Sequence, residues 1–284
     1  MNRVYEVAGH RFGVAGERLC RAVGSLDGFG PFAAEDGDVL FSFAEGTDVP
    51  GMEKALYELS YEDITGVFGR SARGFMMSLK PEKEESLTVW HDEGEKAVLL
   101  CGNLSGQLLR FAMWVGLGLM VLPYDTVAVH GSCVVHDGKA VLFLGESGTG
   151  KSTHTRLWVE NIEGAFLLND DSPFLRVEDG KVWAYGSPWS GKTPCYRQER
   201  YELKGCVRLA QAGANVIRRL GVLEAYGAIH PSCPPEFAYD EGLYDHVGRF
   251  IGKVITGVAC CWLDCLPDRE AALVAFEGLT KLEL

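Results

Sequence analysis

The residues with the clearest chemistry are Gly145-Glu-Ser-Gly-Thr-Gly-Lys151-Ser152, which fit G-x-x-x-x-G-K-[ST]. Glycines at 145, 148 and 150 let successive backbone N–H groups curl round an anion with no Cβ in the way. A lysine at the seventh position reaches the outer phosphates of a nucleoside triphosphate, and the serine after it offers a hydroxyl to Mg²⁺. Gly145, Ser147, Gly148, Thr149, Gly150, Lys151, Ser152 and Thr153 are therefore the expected cradle for ATP. Eighteen residues after Ser152, Asp170 and Asp171 stand side by side. A carboxylate there can hold Mg²⁺, and a second can take a proton from an attacking hydroxyl. The same Asn-Asp-Asp-Ser-Pro stretch also reads as ordinary turn chemistry.

Elements of the right kind flank these residues. Ala140–Leu144 is an apolar strand feeding the loop, and residues 151–162 read as the helix that turns its positive end to the anion. Ala165–Leu168 reads as a buried strand ending at the Asp pair. Asp137-Gly138 and Asp179-Gly180 are two-residue hairpin signals. With the first turn setting His136 against Lys139, His130 falls opposite Gly145, at the mouth of the loop. With the second, Pro188 and Trp189 fall opposite Asp171 and Asp170, so the Gly186–Lys192 loop should border the pair. His130 is then a charge partner for phosphate or base, or a hydrogen-bonded strand histidine. Lys192 is an anion ligand or a plain surface lysine, and Arg197 and Arg200 are further cations in reach. Lys151, Ser152, His130, Asp170 and Asp171 assemble as the expected site, either aspartate able to serve as base; Trp189, Lys192 and Arg197 are the expected substrate side.

The wider chain bounds what this site serves. Its 284 residues divide into a β-rich region, 1–104, with no readable chemistry, and a mixed α/β (α+β) region, 105–284. Leu104–Leu122 reads as a buried helix joining them, and residues 212–228 and 240–256 as later helices. Ala259–Cys265 reads as a last strand, followed by a helix from Asp268. A net charge of −12 argues against nucleic acid and anionic membranes as partners. The uncharged run Phe111–Tyr124 falls short of the ~20 apolar residues of a spanning helix. Met1-Asn2-Arg3 runs into polar, glycine-punctuated sequence, so no secretory leader is expected. Nine scattered cysteines lack a framework spacing, and those at 233, 260, 261 and 265 read as buried thiols rather than a zinc cluster. A cytoplasmic, reduced protein is the expectation, with a homo-oligomer left open.

Across residues 126–195 the chain resembles the C-terminal kinase domain of the HPr serine kinase/phosphorylase family. The resemblance is carried by His130-Gly131, the hairpin, the phosphate loop and Asp170-Asp171. That family shares its P-loop fold with phosphoenolpyruvate carboxykinases. The resemblance implies Mg²⁺ and ATP as cofactors, and phosphorylation of a serine hydroxyl on a protein, peptide or small molecule. It implies Asp170 as general base and Asp171, with Ser152, nearer the metal. Two departures point to a divergent branch: Thr153-His154 replaces an acidic residue, and Ser187–Lys192 stands where a Glu-Asn-Arg-Gly signature is found. A carboxykinase-like lyase and a non-catalytic ATP-binding regulator are the alternatives.

Overall fold

A computed structural model describes residues 2–61 and 63–281, which form a mixed α/β structure with two mixed sheets. The chain divides into two compact units, residues 1–123 with 235–244, and residues 124–234 with 245–284.

The first unit holds β1 (Asn2–Val7), β2 (His10–Ala15), α1 (Glu17–Gly24), β3 (Ala33–Ala34), β4 (Phe41–Glu45), β5 (Met52–Tyr61), β6 (Ile64–Ser71), β7 (Gly74–Pro81), β8 (Leu87–Asp92), β9 (Ala97–Gly102) and α2 (Gly106–Val121). Its sheet runs β3-β1-β2-β4-β9-β8-β7-β6-β5. α2 lies against β7 and β8. Its Gly116 is required there, because a Cβ would run into the Phe43 ring and Val98. That packing places α2 with the first unit, so the contact boundary falls at 123/124 rather than at 104/105. The helical stretch Gly106–Tyr124 includes Arg110 and is long and apolar enough to cross a membrane by length and composition; most of it is buried in the fold.

The second unit holds β10 (Thr126–Ala128), β11 (Gly131–His136), β12 (Lys139–Leu144), α3 (Lys151–Asn161), β13 (Phe166–Asp171), β14 (Phe174–Glu178), β15 (Lys181–Tyr185), β16 (Arg200–Gln211), β17 (Val216–Arg219), α4 (Val222–Ile229), α5 (Glu241–Gly257, its first turn in the other unit), β18 (Ala259–Cys265) and α6 (Arg269–Thr280). The strand order is β10-β14-β15-β16-β12-β11-β13, with β18 beside β16 and β17 beside β18. β12 pairs antiparallel with β11 and parallel with β16, so the strand that feeds the phosphate loop has one neighbour of each kind. Both Asp-Gly turns hold two consecutive left-handed residues, φ +48° and +70° at 137–138, +51° and +75° at 179–180. That is the conformation whose twist matches the flanking strands. The helices α3 and α6 cover one face through Trp158, whose indole meets Phe143 and Phe276 edge-on at 5.4 and 5.8 Å.

Three expected elements differ. The strand expected to carry His130 opposite Gly145 is broken at Val129-His130: β10 pairs with β14 and β11 with β12 and β13, while the His130 N–H leaves the sheet for the Ser232 carbonyl. The helix expected at 212–228 is β17 followed by α4. Asn215 ties this segment to the end of β18, accepting from the Leu266 N–H (2.7 Å) and donating to Asp268 (3.0 Å). The strand reading of 165–168 extends through both aspartates.

Candidate functional site

β12 ends where the chain turns sharply into α3, and the glycines carry that turn. A Cβ at Gly145 would strike the Thr149 hydroxyl. Gly150 caps α3 at φ +102°, a conformation L side chains rarely take. Thr149 braces the loop by donating from Oγ1 to the Glu146 carbonyl, 2.8 Å. The first turn of α3 then carries Lys151 and Ser152 to the mouth, with their N–H groups unspent by the helix.

The Lys151 ammonium donates to the carbonyls of Gly145 (2.8 Å) and Glu146 (3.2 Å) and lies 2.9 Å from His130 Nε2. An ammonium has donors only, so Nε2 accepts and the imidazole proton sits on Nδ1. Nδ1 faces Asp171 Oδ1 at 3.3 Å. Burial pulls the Lys151 pKa below its ordinary value; Asp171, Glu146 and Asp170 pull it back, and Arg208 pushes it down further. Lys151 is thus a partly desolvated amine whose nearest carboxylates favour its charged form.

Successive strand residues face opposite sides, and β13 uses both. Asp170 turns toward α3 and is only 2% exposed. Its Oδ1 accepts from Ser132 (2.8 Å) and Ser152 (2.9 Å), and its Oδ2 from the Thr193 N–H at 3.3 Å. Ser132 is its cross-strand partner on β11. Asn169 turns the other way and anchors the loop after β15: its amide donates to the carbonyls of Ser187 (3.3 Å) and Trp189 (3.0 Å), while its oxygen accepts from the Ser172 N–H at 2.9 Å. Asp171 follows at φ +126°, a strained conformation for a residue with a side chain.

The 186–193 loop borders the Asp pair, two positions out of the expected register. Asp171 bridges to Ser190, and the Asp170 carbonyl accepts from the Gly191 N–H and the Ser190 hydroxyl. The chain leaves strand geometry at Ser172-Pro173, where proline has no N–H to give, so the hairpin ladder stops at Phe174–Tyr185.

The structure brings Lys151, Ser152, His130, Asp170 and Asp171 together. It pairs Ser152 with Asp170, where the resemblance paired it with Asp171. Lys192 is exposed on the bordering loop, beside the Thr193 N–H. Trp189 is buried against Phe174, 5.9 Å between rings. Arg197 lies over Phe166, at the far end of β13 from the aspartates, and pairs with Glu199. Arg200 pairs with Glu178 and Tyr185. Four residues went unread in the sequence: Ser132, Asn169, Ser187 and Arg208. Ser132 follows His130-Gly131 by one and its signal was the hairpin register; the other three act through space.

The Ser152 hydroxyl and Asp170 carboxylate, in contact beneath the loop, are oxygen donors of the kind a hard cation such as Mg²⁺ takes. No family model matches the chain. Among solved structures it is similar to an HPr(Ser) kinase/phosphatase from Coxiella burnetii, with a TM-score of 0.34 and 14% identity, over 54% of this chain and 88% of that one.

Proposed function

We propose that the protein is an ATP- and Mg²⁺-dependent phosphotransferase that phosphorylates a hydroxyl, a serine side chain among the candidates, on a protein, peptide or small molecule. The observation that carries this reading is the convergence of a phosphate-loop lysine, a hydroxyl–carboxylate pair and a histidine–carboxylate pair at one loop mouth. The loop N–H groups and Lys151 would hold the ATP phosphates. Ser152 and Asp170 would hold Mg²⁺, which would supply neutralisation of the phosphate charge.

The acceptor hydroxyl attacks the γ-phosphorus as the bond to the β-phosphate oxygen breaks, releasing ADP. Its proton goes to a base that an incoming molecule can reach. The Asp171 side chain is 45% exposed and its partner His130 48%, whereas Asp170 is enclosed by three donors. We therefore assign the base to Asp171, oriented by His130, and the metal side to Asp170. This exchanges the two roles that the resemblance implied. The proton-bearing Nδ1 of His130 stabilises the Asp171 carboxylate, and Nε2 accepts from the Lys151 ammonium beside the loop.

Release of ADP in the presence of Mg²⁺ and a hydroxyl-bearing acceptor, with phosphate recovered on that acceptor, tests the reading. ATP binding without turnover across serine peptides and small alcohols would leave only a nucleotide-binding role.

A further inference from the structure

β16 runs parallel to β12 with Arg208 in register with Leu144, the last residue before the loop. Its side chain rises beside the loop and is 11% exposed. Nη1 donates to the Ala228 carbonyl at the end of α4, 2.9 Å. Nη2 pairs with the carboxylate of Glu146, the second residue of the loop. The two partners differ in kind. The Ala228 carbonyl is fixed at the end of a helix. The Glu146 side chain is 70% exposed, carried by the loop that must accept phosphate. Among the described residues Glu146 is the one carboxylate on this guanidinium. The loop therefore presents a negative side chain at its own rim, and that side chain occupies a planar donor suited to phosphate oxygens. Both groups are near enough to Lys151 to act on its charge.

We propose that Arg208 is a phosphate-binding residue of the nucleotide site, and that Glu146 holds its place until a triphosphate displaces it. This rests on the reading of the loop as an ATP site. A polyanion entering the loop offers Arg208 more charge than one exposed carboxylate and repels Glu146 toward solvent. Ala228 keeps the guanidinium aimed during the exchange. Glu146 thus sets a threshold: weakly charged ligands leave the pair closed, and the triphosphate opens it.

The test is calorimetric binding of Mg·ATP to the folded full chain and its variants. Glu146→Gln should tighten binding about 10-fold and Arg208→Ala weaken it by at least as much, the scale of one charge-assisted phosphate contact. The decisive value is the gain from Glu146→Gln in the Arg208→Ala background. If Arg208 is the released ligand, the gain largely disappears there. If Glu146 only repels phosphate, the gain persists or grows, because the carboxylate is then unpaired, and the proposal falls. Should Arg208→Ala not fold, Arg208→Gln serves the same cycle, since glutamine keeps a donor for the Ala228 carbonyl but brings no charge to Glu146 or phosphate. A wild-type chain that binds Mg·ATP with no tightening in Glu146→Gln overturns this proposal alone. Folded wild type and Glu146→Gln that both fail to bind Mg·ATP overturn the ATP reading and the proposal with it.

Discussion

The Ser152 hydroxyl meets Asp170 at 2.9 Å, while Asp171, the next residue, faces His130 at 3.3 Å. Two adjacent carboxylates thus enter two different networks, one with hydroxyl donors under the loop and one with an exposed imidazole. The division predicts separable failures. Asp171→Asn should keep Mg·ATP affinity within about threefold while turnover falls by roughly 10²–10⁴, the range for loss of a positioned general base. Asp170→Asn should instead lose the Mg²⁺ dependence of ATP binding. Calorimetry with and without Mg²⁺, beside steady-state ADP release, separates them. The opposite pattern would restore the base to Asp170.

Lys151 supports a second expectation. Its ammonium is partly desolvated, with its pKa lowered by burial, and in this state its anchors are two loop carbonyls and His130. Lys151→Met removes a charge that is costly to bury and keeps the aliphatic stem. The melting temperature without ligand should stay level or rise, because the favourable charge partner is the ligand itself. The rise in melting temperature that Mg·ATP gives the wild type should shrink to near zero. A variant that melts much lower without ligand would make Lys151 a structural residue first.

The parts of this site that sequence makes legible are those coded by neighbours along the chain. Asp137-Gly138 dictates a two-residue turn, and from it follow the strand pairing and the approach of His130 to the loop. The glycines, Lys151 and Ser152 are spaced by the geometry of the loop itself. What failed depended on partners distant in sequence. Asn215 is drawn to Leu266 and Asp268, which turns an expected helix into β17. The loop register slipped by two because Pro173 and the left-handed Asp171 end the ladder early. Trp189 and Arg197 have types that suit a substrate groove, yet Phe174 and Phe166 offer them packing surfaces that no local pattern announces.

Asn169 is fully buried and holds the loop that borders the aspartates from beneath. Asn169→Ala removes one hydrogen bond each from the Ser187 and Trp189 carbonyls and the Ser172 N–H, while the Trp189 carbonyl keeps the Ser187 hydroxyl at 3.0 Å. At about 1 kcal/mol for each buried hydrogen bond lost, the loss should reach roughly 2–3 kcal/mol. Urea unfolding measures it. Limited proteolysis should find new cleavage within 187–193, since that loop would open before the sheet does. A stability loss with no new loop cleavage would mean that Ser187, which also donates to the Ser172 carbonyl at 2.6 Å, is sufficient as anchor.

His154 follows the phosphate loop by one helical turn and is buried against Phe143, its ring edge-on at 4.6 Å. Burial disfavours the cation and pushes its pKa down to about 4. The unfolded chain, with an ordinary value near 6.5, binds the proton first as pH falls. Stability from the neutral imidazole is therefore complete above pH 6.5 and is lost as pH drops toward 4, at about 1.4 kcal/mol per unit and about 3 kcal/mol at most. Glu236 tilts the other way: burial raises its carboxyl to about 7, so the fold loses stability as pH rises from near 4.5 through 7. The two slopes oppose each other over the same range, which hides both in the wild-type profile. The difference between wild type and His154→Phe isolates the histidine. Urea unfolding at pH 7.5 and pH 5 should show the wild type losing about 2 kcal/mol relative to the variant. Equal pH dependence in the two proteins would mean that His154 is protonated in the folded state, with a solvent path to its ring beneath the phosphate loop.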